Sequence, residues 1–210
     1  MKRNGFTYVL VLASLCVAAS ACGGGGHEDQ GLTPQPTIAV GVTPQGTPVA
    51  LPTAVGTPII TDSLFRFPAK GYEVGIPQGW EARPNFLITG AFSSDAFFAP
   101  ETGAAVQPSI AVTCEPLVEE TTLQAYFETR LDLVKRLLKQ EPEVRPFQVV
   151  GREAFAVQYS LLEDSPLDRT DIIFLSERCG WTISLTAPFG QRAAYQGIFD
   201  QFLASFRLLP

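Results

Sequence analysis

A chain of 210 residues carrying 15 basic and 21 acidic side chains has a formal net charge of −6 and a single histidine. An acidic balance removes the electrostatic reason to bind nucleic acid or an anionic lipid surface. One histidine, His27, also excludes a Ser-His-Asp, Cys-His or histidine-based zinc site in the body of the chain, since His27 stands in a low-complexity segment.

The N-terminus reads as an export signal over residues 1–21. Lys2 and Arg3 precede an apolar run from Tyr8 to Ala18, and Ala19-Ser20-Ala21 then leads to Cys22. The run is too short to span a bilayer as a stable helix. Small residues before a cysteine resemble the lipobox of bacterial lipoproteins, although Ala19 stands where leucine is usual, so Cys22 is the expected lipidation site. An ordinary signal peptidase would cut the same bond and leave Cys22 bare. Cleavage removes two basic groups and no acidic ones, leaving 13 against 21 and a net charge of −8. Attachment to a membrane then depends on the acyl chains.

Residues 22–63 read as a flexible Gly/Thr/Pro-rich stalk. Gly23 to Gly26 follow the cysteine, and Pro34, Pro36, Pro44, Pro48, Pro52 and Pro58 recur with no sustained helical or strand period. Fully extended, such a stalk reaches on the order of 130 Å. Thr-Pro pairs within it are candidate O-glycosylation positions, or simply linker composition.

Residues 64–210 form the expected single domain, long enough for one sizeable core. Tyr72, Val74 and Ile76 alternate with Glu73 and Gly75, predicting a half-buried strand that stops at Pro77 and turns through Gln78-Gly79-Trp80. Phe86 to Phe92 and Ala96 to Ala99 read as further strands, and Ile110, Val112 and Cys114 share one face of the next. A helix follows, with Thr121 and Gln124 as a capping box and Leu123, Phe127, Leu131, Val134 and Leu138 at helical spacing, ending before Pro142. Phe147 to Val150 with Ala154 to Leu162, and Thr170 to Ser176 with Trp181 to Ala187, read as strand pairs. The second pair turns around Arg178-Cys179-Gly180. The last element is a helix with Tyr195, Ile198, Phe199, Phe202, Leu203 and Phe206 on one face. Strands, helix, strands, helix is the order of an α+β fold with an antiparallel sheet packed by helices.

Several segments together resemble the PsbP/Mog1 group. They are Gly71-Tyr72-Glu73-Val74-Gly75-Ile76-Pro77-Gln78-Gly79-Trp80 as the opening strand and turn, Val150-Gly151-Arg152-Glu153-Ala154 as the mid-domain hairpin, Trp181 to Ala187 as the penultimate strand, and Tyr195 to Phe206 as the closing helix. The resemblance implies an α/β/α sandwich with a central antiparallel sheet flanked by helices. The group includes photosystem II extrinsic subunits, a Ran-binding import factor and many bacterial lipoproteins of unknown role. It implies binding or assembly more than catalysis, and no functional residue transfers with these core-building positions.

Candidate sites are few. After removal of Cys16 and acylation of Cys22, Cys114 and Cys179 are left to pair, a cross-link contributing about 4 kcal/mol in the chain-entropy model; two separate buried thiols are the alternative. Trp80, Phe92, Phe97 and Phe98 form either a ligand or partner patch or ordinary strand packing. Lys70 and Arg83 read as exposed cations near the first hairpin, available to an acidic partner. Glu163, Asp164, Asp168 and Asp171 crowd a presumed loop, where they would form a weak calcium site, a pair of hydrolytic acids, or a merely solvated loop. No P-loop or dinucleotide fingerprint occurs, and neither cofactor nor metal is expected. The sequence thus points to an exported, lipid-anchored, non-catalytic module whose partner is an unknown envelope protein or a small ligand. A small-molecule or lipid-binding lipoprotein is the alternative, and a carboxylate hydrolase a third.

Overall fold

The computed structural model describes residues 58–89, 92–117, 119–138, 141–162 and 166–210. Eleven strands and two helices make up these residues. Four strands form a small antiparallel sheet: β1 (Ile59–Ile60), β2 (Leu64–Phe67), β3 (Tyr72–Gly75) and β11 (Arg207–Leu208), in that order. Seven form a large one: β4 (Glu81–Thr89), β5 (Phe92–Phe98), β6 (Ser109–Pro116), β7 (Glu143–Val149), β8 (Arg152–Leu161), β9 (Leu167–Leu175) and β10 (Cys179–Pro188). Their spatial order is β4-β5-β6-β10-β9-β8-β7, antiparallel throughout. Helix α1 (Leu123–Leu137) joins β6 to β7, and α2 (Arg192–Ser205) joins β10 to β11.

The fold is therefore α+β with antiparallel sheets, as expected, but with two sheets in place of one. Side chains alternate across a strand, so the two faces of the large sheet carry separate cores. Ala154, Ala156, Ile172, Phe174, Trp181 and Ile183 face α2 and the small sheet, where Phe65, Phe67, Tyr72, Phe199, Phe202 and Phe206 close over them. Val157, Tyr159 and Ile173 face the other way and meet Tyr126, Phe127 and Val134 of α1. The α2-side core is dominated by rings. Tyr72 stacks on Phe206 with centroids 5.3 Å apart, and Phe97 meets Phe65 and Phe202 edge-on at 5.2 and 5.0 Å. Each such ring, fully buried, stabilises the fold by about 1.5–3 kcal/mol.

Several local expectations shift. Thr122, not Thr121, caps α1, its side-chain oxygen accepting the Ala125 N–H at 3.2 Å, while Gln124 bonds Glu128 instead of closing a capping box. The β9–β10 turn is Ser176-Glu177-Arg178, with Cys179 and Gly180 already in β10. β4 runs through Arg83-Pro84-Asn85, residues that look like a breaker, because a bulge between Arg83 and Leu87 absorbs them with Asn85 at φ 50°. Ile59 and Ile60 pair with Arg66 and Phe65, so paired structure begins ahead of Leu64. Both edges of the large sheet, β4 and β7, carry a mid-strand proline, Pro84 and Pro146. Proline denies a hydrogen-bond donor to an approaching strand and so protects each edge.

Candidate functional site

A charged network lies between α1 and the large sheet. Arg169 and Asp171, two residues apart on β9, share one face, and the guanidinium Nε donates to Asp171 Oδ1 at 2.9 Å. Tyr159 on β8 donates its hydroxyl to Asp171 Oδ2 at 2.9 Å, and Arg169 Nη2 donates to Ser184 Oγ on β10 at 2.9 Å. One turn of α1 brings Tyr126 and Arg130 to the same region. Tyr126 donates to Glu115 Oε2 at 3.0 Å, Arg130 Nε donates to the Tyr126 oxygen at 3.2 Å, and Arg130 pairs with Glu115. Burial raises the Tyr126 and Tyr159 hydroxyls well above the ordinary tyrosine range. Burial works against a charged Arg169, yet Asp171 and Tyr159 together outweigh it and raise the guanidinium above its ordinary range. The same desolvation lowers Arg130, opposed by Asp171. These groups satisfy one another, an arrangement that rigidifies a helix–sheet interface.

Of the four carboxylates expected in one loop, the two that the structure describes, Asp168 and Asp171, are not brought together. Asp168 and Asp171 lie within β9, three residues apart, and strand alternation sends them to opposite faces. Asp171 joins the network under α1. Asp168, on the α2 side, accepts Ser160 Oγ at 2.7 Å and the Gly190 N–H at 2.9 Å, with Arg192 Nη2 at 3.7 Å. A sheet between them prevents these two from acting as a hydrolytic pair or a shared calcium site. Glu163 and Asp164 lie outside the described residues, as do Cys22 and His27. Among the described residues no group of three or more His, Cys, Asp or Glu converges on one point.

Lys70 corrects the expectation of an exposed cation. The Pro68–Lys70 turn folds it inward, with its side chain 4% exposed, and Nζ donates to Asp95 Oδ1 at 2.7 Å. Asp95, fully buried on β5, also accepts the Tyr72 hydroxyl at 2.6 Å and the Asn85 N–H of the β4 bulge at 2.7 Å. Burial lowers the Lys70 pKa, with Asp95 opposing the shift, and raises the Tyr72 hydroxyl, which the Asp95 charge raises further. Arg83, the other presumed free cation, lies over the Phe98 ring and donates to both carboxylate oxygens of Glu81, at 2.8 and 3.0 Å.

The aromatic candidates do not form one patch. Phe97 is wholly buried on the α2 side, whereas its neighbour Phe98 points to the other face and meets Phe86 edge-on at 5.0 Å. Trp80 is half-buried against the α2-side core, and the Phe92 side chain is outside those described. Cys114 and Cys179 are joined in a disulfide, with Cα atoms 5.5 Å apart. Sequence reading overlooked Leu162 and Phe189, exposed at the β8 end and after β10, where the Phe189 N–H reaches the Pro166 carbonyl at 3.2 Å. Leu162 closes the strand expected over Ala154 to Leu162 and so is counted with it, and Phe189 follows the strand expected to Ala187 with no periodic element of its own.

No family model and no curated protein matches this chain. Among solved structures, LpqN of Mycobacterium tuberculosis, described as involved in cell envelope biogenesis, matches at 11% identity with a TM-score of 0.51. The match covers 73% of this chain and 90% of LpqN. The likeness is one of fold. Cyanobacterial PsbP (CyanoP) of Synechocystis matches at 14% identity and a TM-score of 0.49, over 71% of this chain and 95% of that one. A Pseudomonas aeruginosa protein of unknown function, described as a putative regulator, matches at 16% and 0.48, over 66% and 90%.

Proposed function

We propose that this protein is an exported, lipid-anchored module of the cell envelope that binds or assembles with another envelope component and performs no catalysis. The observation carrying the reading is Cys22 placed directly after Ala19-Ser20-Ala21 and an apolar run. Among the described residues no helix is long and apolar enough to cross a membrane, so in this reading attachment falls to the acylated N-terminus. Two further observations support it. LpqN, which shares the fold, is described as a protein of envelope biogenesis. The domain's buried acids (Asp95, Asp168 and Asp171) are each engaged by cations or hydrogen-bond donors, leaving none of the three poised as a general acid or base. A tether running from Cys22 to the start of β1 would raise the local concentration of the domain for a neighbouring partner.

Mass spectrometry of the mature N-terminus tests the anchor, and cross-linking of intact membranes followed by affinity recovery tests the partner. The expected result is a diacylated or triacylated Cys22 and a reproducible envelope protein in the recovered fraction. A bare thiol, an uncut leader, or recovery of no partner overturns the reading.

A further inference from the structure

The disulfide bears on how α1 is held, a matter separate from the proposed role. Cys114 stands opposite Trp181 in register and Cys179 opposite Pro116, so the cross-link runs diagonally around a single cross-strand pair, Glu115 opposite Gly180. That pair is where the first half of α1 lands. Gly180 lies against the Tyr126 ring, and a Cβ added there would clash with its Cζ, Cε2 and hydroxyl. Tyr126 donates to Glu115, and Arg130 pairs with the same carboxylate. Strand alternation turns the cysteines toward α2 and the residue after each cysteine toward α1. The seat of α1 is thus built from the two residues that directly follow the two half-cystines.

This seat is also the end of the β6–β10 ladder, whose last pair is Cys179 with Pro116; beyond it the Leu117 N–H reaches only the Arg178 carbonyl, at 3.2 Å. Ladder ends open more readily than ladder centres. The apolar core under α1 is small: six buried side chains among the described residues, against twenty-one on the α2 side. Phe127 and Val134 pack over β8 and β9, while the first half of α1 rests, through Tyr126 and Arg130, on a ladder end that the disulfide clamps.

We propose that Cys114–Cys179 is a redox latch on α1: oxidised, it clamps the Glu115–Gly180 seat; reduced, the ladder end opens and α1 leaves the sheet while α2 and the small sheet stay packed. Cys179 is the buried partner and Cys114 the half-buried one, so a dithiol reductant enters at Cys114. Its thiolate attacks Cys114 Sγ, the S–S bond breaks, and Cys179 departs as a thiolate that takes up a proton. The second thiol of the reductant then displaces Cys114, which is also protonated. Two electrons and two protons pass to the protein, and the reductant leaves as its own disulfide. Release uncovers Val157, Tyr159 and Ile173.

Hydrogen exchange on the full chain, before and after dithiothreitol, tests the latch. Reduction is expected to speed exchange across Leu123–Leu137 by about ten-fold or more, with Arg192–Ser205 and Tyr72–Gly75 within about two-fold of the oxidised protein. A Cys114→Ser/Cys179→Ser variant should match the reduced protein and ignore dithiothreitol; if it does not fold, the reductant experiment on the native chain decides. Unchanged exchange in α1 after complete reduction, or protection lost evenly through the domain, overturns the proposal and leaves the disulfide a passive brace.

Discussion

Lys70 Nζ and Asp95 Oδ1 lie 2.7 Å apart with both side chains almost wholly out of solvent, joining the turn before β3 in the small sheet to β5 in the large one. Removing one charge strands the other in a low-dielectric interior. Asp95→Leu is expected to lower unfolding free energy by about 3–5 kcal/mol, whereas the double change Lys70→Met/Asp95→Leu should recover only part of that loss, because the Tyr72 hydroxyl and the Asn85 N–H still lose their acceptor. Urea unfolding of the four-member cycle measures the coupling. Equal, additive losses from the single changes would mean that the pair does not operate as one unit.

Arg169 and Asp171 form the equivalent pair on the opposite face, 2.9 Å apart and further tied to Tyr159 and Ser184. Asp171→Ala is expected to cost about 3–5 kcal/mol, more than Asp200→Ala on the exposed side of α2, which should stay within about 0.5 kcal/mol. Chemical denaturation followed by Trp181 fluorescence distinguishes them, since Trp181 is buried among Tyr72, Phe174 and Phe206.

Gly180 tolerates no side chain while Tyr126 covers it. Gly180→Ala should destabilise the domain by about 1–3 kcal/mol through overpacking. Adding Tyr126→Ala should make the alanine at position 180 nearly neutral in that background, because the clashing ring is gone. A cost that persists in the double variant would place the strain elsewhere.

Alkaline stability follows from the tyrosines. Tyr72, Tyr126 and Tyr159 all have hydroxyls raised above the ordinary value of 10.0, chiefly by burial. Above about pH 10 the unfolded chain releases these protons and the folded one keeps them, so stability falls as pH rises, by about 1.4 kcal/mol per pH unit for each group. Lys70 acts in the opposite sense: its lowered pKa leaves the folded state with fewer protons than the unfolded one, so its contribution grows as pH approaches 10.5. Three groups against one predict net loss. Absorbance titration at 295 nm should show the share of the tyrosine signal belonging to these three appearing only as the fold is lost, and ionisation of the whole tyrosine signal near pH 10 with the fold intact would contradict the burial argument.

Most strands of the large sheet, both helices and the buried stripe of α2 were readable from the chain, because alternation and helical period are local properties of a few successive residues, whereas the short strands β1, β2 and β11 of the small sheet were not. The Cys114–Cys179 disulfide was one of two readings of the chain, the other being two separate buried thiols, and the tertiary structure decides for the bond. Lys70 as a buried base, Asp168 and Asp171 on opposite sides of one strand, and Phe97 and Phe98 parted by the sheet were decided by tertiary structure alone. Their roles depend on where β9 begins and on which strands lie beside it. With β10 inserted between β6 and β9, the neighbours that matter come from distant parts of the sequence. Charge in a stretch of chain carries no sign of whether a facing strand will neutralise it or water will.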